Sequence, residues 1–406
     1  MTERRVAITG IGCLSALGNS RESVWRGLTE GRCGIDRVTL FDPTGYRSDL
    51  AAEIRDYGAA AHFTPLERRR LSRCDQIAIL AAAEALYDAG LDANRVDPNR
   101  VGVMFGSGTS DLRRNEEYLA DMRARGVERA RPSKIFNHYS STPTDVVGER
   151  FGFQGPRACI VAACSSSTIA IGYAGDAIRH GQMDFALAGG SDVLCRLTFS
   201  GFNALRLVDT QPCRPFDTSR AGMNIGEAAA VLVLEEMAHA KRRGATIYAE
   251  LAGYSTTCEA HHPTAPEPEG RAIAATIDAA LNAARVTVDD VDHVNGHGTG
   301  TVHNDRAEAR ALHRVFGERT RRLPVNSIKS MVGHCLGAAG AIEAMALALT
   351  IARGVIPPTI HHHETDRECA LDVVPNDARE QPIRCGISTS LAFGGNNSAL
   401  VMRHVE

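Results

Sequence analysis

The same succession of segments occurs twice in this chain, in the same order. Residues 85–90 (ALYDAG) lead through a short connection into VGVMFGSGTS, and residues 280–285 (ALNAAR) lead into VDHVNGHGTG; each is a helix end, a strand and a glycine-rich turn. PRACIVAACSSSTIAIGYAGDAI from Pro156 then pairs with LPVNSIKSMVGHCLGAAGAIEAMALAL from Leu323, a strand followed by a long helix of small residues. Finally, DFALAGGSD from Asp184 pairs with RCGISTSLAFGGNNSALVM from Arg384, a strand that breaks at a double glycine. Self-similarity of this kind marks a duplicated domain. Short β-rich runs alternating with longer alanine-rich helical patterns make each copy α/β, with buried strands. The division falls near residue 250, after the helix rich in Ala, Lys and Arg that ends at Gly244, so 1–250 and 251–406 form two halves related by a pseudo-twofold axis.

In both copies the junction between strand and long helix carries a reactive side chain, Cys164 in the first and His334 in the second. The helix after Cys164 opens with Ser165, Ser166 and Ser167, residue types that cap first turns, and closes at Gly181. The helix after His334 runs to Gly354, with Pro357 and Pro358 beyond. Pseudo-twofold packing would bring both helix N-termini into one site. A thiol attacks as its thiolate, and a reference pKa of about 8.5 leaves only a few per cent ionised at neutral pH. A helix N-terminus lowers that value by up to roughly one unit, and neighbouring imidazoles must do the rest. From position alone, Cys164 reads equally as a nucleophile or as a buried structural cysteine, as Cys159 and Cys385 are taken to be. His297, in NGHGTGTVHND, follows the apolar strand VDHV on a turn whose glycines admit a ligand to the backbone. His334, at the positive end of its helix, is expected to be neutral and suited to donate through Nε2 to a developing oxyanion. Lys329, five residues earlier, and Glu308, after Asn304 and Asp305, offer an opposite-charge pair beside the site, or only a structural salt bridge. Phe393, in SLAFGGNN, is either an aromatic that Gly394 and Gly395 allow to swing or a core residue at a turn.

Composition removes several classes of function. With 45 basic and 48 acidic residues along 406, and a formal net charge of -3, the chain has no polycationic face for nucleic acid. The clusters Arg68, Arg69, Arg70, Arg73 and Arg123, Arg125, Arg129, Arg131 read as solvated faces, which still leaves room for an acidic protein partner. No run approaches about 18 uninterrupted apolar residues, so no membrane-spanning helix is expected. The apolar segment 6–17 superficially resembles a signal peptide, but Gly10, Gly12 and Gly18 and the lack of a small-x-small cleavage site make it a strand and turn. The same segment spaces its glycines wrongly for a dinucleotide-binding turn, and no GxSxG elbow occurs. Eleven cysteines, an odd number scattered through apolar stretches, indicate reduced thiols and hence the cytoplasm. No CxxC occurs and no His lies at zinc-ligand spacing from two cysteines, while His361, His362 and His363 follow a proline pair as a loop. Neither a metal nor another cofactor is expected.

Taken together, ACSSS around Cys164, GHGTGT around His297, SIKSMVGHCLGAAG around Lys329 and His334, and AFGGNN near the end resemble the β-ketoacyl-(acyl carrier protein) synthases of the elongating type. The resemblance covers essentially the full length, including CRPFD at 213–217 and NIGEAAAVLVLEE from Asn224. It implies the duplicated thiolase fold, layered αβαβα, and a decarboxylative Claisen condensation. Cys164 would take the acyl group from an acyl carrier protein as a thioester, and malonyl carrier protein would follow, with Thr299 and Thr301 near its carboxylate. His297 and His334 would stabilise the enolate formed as carbon dioxide leaves, and the backbone N–H groups of Cys164 and Phe393 would form the oxyanion hole. Lys329 and Glu308 match the family's supporting pair, Phe393 its gating aromatic, and Thr109 the base of the acyl pocket, where many members carry a bulky aliphatic residue. Arg220, Ala221, Gly222 and Met223 stand where the family usually has Asp-Gly-Phe, and GGNN replaces GGTN. These departures leave fatty acid synthesis and specialised polyketide synthesis, such as that of a polyene, both open. The resemblance further implies a twofold homodimer, or a heterodimer with a chain-length-factor-like subunit. A silent chain-length-factor role is the alternative reading; Cys164 and both histidines speak against it, since such partners lack the cysteine. A thiolase would need a second catalytic cysteine in a late CxG context, and an initiating synthase an asparagine where His334 stands.

Overall fold

The computed structural model describes residues 4–135 and 137–405. The first copy runs β1 (Val6–Ser15), α1 (Arg73–Asp88), β2 (Val101–Gly106), α2 (Thr142–Phe151), β3 (Arg157–Ile160), α3 (Ser166–Arg179), β4 (Phe185–Asp192) and β5 (Ala228–Glu236). The second repeats it as β6 (Ala249–Cys258), α4 (Arg271–Ala284), β7 (His293–Asn295), α5 (Val302–Phe316), β8 (Val325–Asn326), α6 (Ala339–Arg353), β9 (Cys385–Ala392) and β10 (Asn396–Arg403). These strands form one sheet in the order β8-β7-β9-β10-β6-β1-β5-β4-β2-β3. The order is a palindrome, with every strand of one copy mirrored by its counterpart. Strand directions repeat as well. β2 is parallel to β3 and β4, and β5 is antiparallel to β4 and β1. In the same way β7 is parallel to β8 and β9, and β10 is antiparallel to β9 and β6. The two copies join where β1 and β6 pair, Ala7 opposite Glu250 and Ile8 opposite Ala249.

Helices α3 and α6 pack on each other and on strands of both copies, so they form a middle layer. α1 and α2 cover the outer side of the first half-sheet, and α4, with α5 beside it, covers that of the second. The expected αβαβα layering is therefore present. The middle layer explains the small residues: a Cβ on Gly340 would lie 1.9 Å from Thr168 Oγ1, so only glycine lets these helices approach so closely. The Ala341 N–H donates across the same contact to Ser167 Oγ at 2.9 Å.

One apolar helix bears on the expected lack of a membrane span, and one arginine of the expected solvated clusters needs correction. The stretch Leu336–Arg353 is long and apolar enough to cross a membrane by composition, with a mean hydropathy of 1.4, but 89% of it is buried inside the protein. A helix apolar on all sides belongs either in a bilayer or in a core, and here it is core. Arg73 is not solvated: its Nε donates to Glu227 at 3.1 Å in the interior, while Arg68, Arg69 and Arg70 lie on the exposed helix Pro65–Arg70. The N-terminal segment is a strand and turn, as expected, with all ten residues of β1 buried. All eleven cysteines are free thiols.

Candidate active site

After β3 the chain turns sharply into α3 through Ala163, whose φ is +47°. A non-glycine residue rarely occupies that region, and such strain is kept where the surroundings enforce it. The bend places Cys164 in the short turn Ala163–Ser165, immediately ahead of the helix. The second copy does the same with Leu336 at φ +52° and the turn Leu336–Ala338 ahead of α6. His334 thus lies five residues before its helix rather than at its first turn. His297 follows β7 on the glycine-rich turn, as the sequence suggests. The Cys164 sulfur and a ring nitrogen from each of the two histidines lie within 4.8 Å of one another. The two rings meet edge-on with centroids 5.3 Å apart. All three side chains line a cavity of about 210 Å³ together with Thr299, Thr301 and Phe393.

Comparison with known proteins adds a family. The profile of the β-ketoacyl synthase N-terminal domain matches residues 3–240, and that of the C-terminal domain matches 248–363. The chain belongs to the β-ketoacyl synthase family. It is 43% identical to a putative polyketide β-ketoacyl synthase 1 of Streptomyces halstedii, over 99% of both chains. It is 39% identical, with the same coverage, to 3-oxoacyl-[acyl-carrier-protein] synthase 2 of Staphylococcus aureus strain COL. Among solved structures, a chain of the ishigamide ketosynthase/chain length factor superposes over all of both chains with a TM-score of 0.95 at 36% identity. The fold is thus the thiolase fold of these synthases, and the protein is a condensing acyltransferase. With Cys164 and both histidines gathered in one cavity, a silent chain-length-factor role is not favoured.

In this β-ketoacyl synthase both site histidines are neutral. Burial holds them well below the usual imidazole range, and the Lys329 charge acts in the same direction. Burial is therefore the leading cause for His334, where the sequence pointed to the helix end. The Leu336 N–H donates to His334 Nδ1 at 3.1 Å. A backbone amide can only donate, so the proton of His334 sits on Nε2. Lys329 Nζ lies 3.2 Å from His297 Nδ1, 2.6 Å from the His297 carbonyl oxygen, and against Glu343 Oε1. Three ammonium protons meet three acceptors, and His297 is likewise left with its proton on Nε2. The trio has the spread of a metal site, yet each ring offers an N–H where a metal would need a lone pair.

The expected pair of Lys329 with Glu308 does not form. Lys329 is paired with Glu343, a carboxyl pushed up to about 7 by burial against the opposing pull of that lysine. Glu308 instead accepts from the His297 and Gly298 amides at 2.7 and 2.8 Å and from the Thr389 hydroxyl at 2.8 Å. It shapes the turn that presents His297. The Cys164 thiol also differs from expectation: burial pushes it up to about 11, while Lys329 and the N–H groups of Phe393 and of Cys164 itself pull it back. Neutral imidazoles bring no charge to lower it.

Of the remaining expected residues, Thr299 and Thr301 face the cavity with their hydroxyl oxygens 2.9 Å apart. Phe393 packs against Phe202 at 5.8 Å between centroids, beside Gly394 and Gly395 at φ +80° and +74°. Thr109 is the one that does not reach the cavity; its N–H donates to Asp192 Oδ1 at 3.0 Å. The three serines do not cap α3 as expected. Ser165 Oγ donates to the Ala162 carbonyl and Ser166 Oγ accepts from the Ala162 amide, each at 2.8 Å, which braces the bend before Cys164. Sequence reasoning missed Glu343 and Asp192. A lone acid in the apolar run GAIEAMALAL was the available signal for the first.

Proposed function

We propose that Cys164 carries the growing acyl chain and that His297 and His334 drive the decarboxylation that extends it. The observation that carries this reading is the convergence of one thiol and two Nε2–H donors in a single cavity. In the first half-reaction the Cys164 sulfur attacks the acyl thioester of a carrier protein. The tetrahedral oxyanion is received by the Cys164 and Phe393 amides, the groups that already favour negative charge on the sulfur. Collapse expels the carrier thiolate, which takes up the proton that Cys164 gives up. In the second, the bond from the malonyl α-carbon to its carboxylate breaks and carbon dioxide leaves. The electron pair moves onto the thioester oxygen as an enolate, held by the two Nε2–H donors. The α-carbon attacks the Cys164 thioester, the C–S bond breaks, and the β-ketoacyl product remains on the carrier. Thr299 and Thr301 hold the malonyl carboxylate, and Phe393 gates the approach of the second substrate.

The partner is an acyl carrier protein, as in the name of the staphylococcal relative, and the reaction takes place in the cytoplasm. We assign the enzyme to polyketide rather than primary fatty acid synthesis, because its identity to the streptomycete polyketide relative, 43%, exceeds the 39% to the staphylococcal enzyme. The chain then works as a twofold homodimer, or as a heterodimer completed by a chain-length-factor-like subunit. Intact-mass analysis after exposure to loaded carrier proteins tests the assignment. Wild type should gain one acyl group on Cys164 and Cys164→Ala none; label retained in Cys164→Ala would refute it. Preferred loading from short saturated fatty acyl carriers alone would return the enzyme to fatty acid synthesis.

A further inference from the structure

Outside the reacting groups, one fully buried carboxylate collects more donors than any feature of the sequence suggested. Asp192, the last residue of β4, is completely buried. Its Oδ1 accepts from the Thr109 and Ser110 amides at 3.0 and 2.6 Å and from Ser107 Oγ at 3.1 Å. Its Oδ2 accepts from the Gly108 amide at 2.6 Å and the Gly337 amide at 2.7 Å. Three consecutive amides of the first copy form a nest for the anion, and one further amide, that of Gly337, comes from the second copy, three residues after His334. The backbones touch at this point: a Cβ on Gly337 would lie 2.1 Å from the Gly108 nitrogen. Between Gly337 and His334 stands Leu336, held at φ +52°, whose own N–H sets the His334 tautomer.

We propose that Asp192 is a positioning residue for the decarboxylation step. Its carboxylate on the first copy anchors the Gly337 amide of the second, which keeps Leu336 in its left-handed conformation. That conformation aims the Leu336 N–H at His334 Nδ1 and leaves the Nε2 proton for the enolate oxygen. Loss of the anchor frees Leu336 to relax to negative φ, and His334 is then free to place its proton on Nδ1 and turn a lone pair toward the substrate. Oδ2 alone spans the contact between the copies, taking the Gly108 amide from the first and the Gly337 amide from the second. The proposal rests on the reading of His334 as an enolate-stabilising group.

The test separates the two half-reactions in Asp192→Asn, Asp192→Glu and His334→Asn, using hexanoyl-pantetheine for Cys164 acylation by intact mass and malonyl-pantetheine for carbon dioxide release. Histidine 15N NMR reports the His334 tautomer. Asp192→Asn should cut decarboxylation at least tenfold, leave acylation within about threefold, and shift His334 Nδ1 away from its lone-pair signature. Asp192→Glu, which keeps the anion, should restore the tautomer and part of the decarboxylation, and it carries the same readouts if the asparagine variant does not fold. Equal loss of both half-reactions with an unchanged His334 tautomer would overturn the proposal and leave Asp192 a purely structural residue. If His334→Asn retains decarboxylation, the functional reading of His334 fails, while the tautomer shift still decides whether Asp192 controls that ring.

Discussion

Cys164 presents a nucleophile whose ionisation is opposed by its burial, with its thiol up to about 11. Alkylation by iodoacetamide should therefore rise roughly tenfold per pH unit from 7 to 9 without a plateau, since only the thiolate reacts. A plateau near pH 7 would show that the lysine and the two amides outweigh burial. Lys329→Met should slow both half-reactions. It removes the one cationic group that favours the thiolate and the donor that sets the His297 tautomer. It also strands Glu343 without its partner, for which a loss of about 3–5 kcal/mol is typical of a broken buried pair; urea denaturation and single-turnover kinetics measure the two effects. At this scale Cys164 and His334 stood out because the repeat puts each between a strand and a long helix, His297 and Phe393 because they sit on glycine-rich turns after strands, and Thr299 and Thr301 only through the family resemblance. Glu343 and Asp192 were not, because a buried acid is explained only by donors hundreds or tens of residues away. Glu308 was recognised but given the wrong partner, since proximity in the chain does not say which way a carboxylate points.

The middle-layer helices link packing to chemistry, because each begins just after a residue of the site. Gly340→Ala would press a methyl group into Thr168 Oγ1 and force α3 and α6 apart. Overpacking of this kind typically costs about 1–3 kcal/mol. Thermal melting should show that loss, and activity should fall further than stability as Cys164 and His334 separate. Unchanged activity in a folded, destabilised variant would show that the two turns are held independently of their helices. The runs of small residues made both helices readable, as did Gly181 and Gly354, which follow their ends. The serines before α3 were misread because a hydroxyl's residue type does not reveal which backbone group it will meet. The distance of His334 from α6 was hidden for a related reason: a left-handed Leu336 has no sequence signature.

For the molecule as a whole, the repeat visible in the sequence covers three of the five mirrored strand pairs of the palindromic sheet, β2 with β7, β3 with β8 and β4 with β9, because duplicated segments inherit the same pairing rules. Assembly was less accessible. β3 is the last strand of the sheet on the first copy's side, and Val161 just after it and Tyr139 nearby in sequence are 59% and 71% exposed. An open strand edge flanked by apolar side chains favours pairing with another chain. Light scattering should give twice the monomer mass, or a one-to-one complex when a chain-length-factor-like subunit is co-expressed; a monomer at micromolar concentration under both conditions would argue against either dimer. The apolar character of α6 has a consequence for biosynthesis. The segment leaves the ribosome only after more than three-quarters of the chain, when the first copy has had time to fold ahead of it. Such timing gives the greasiest part of the polypeptide a ready-made cradle in the strands of the first copy.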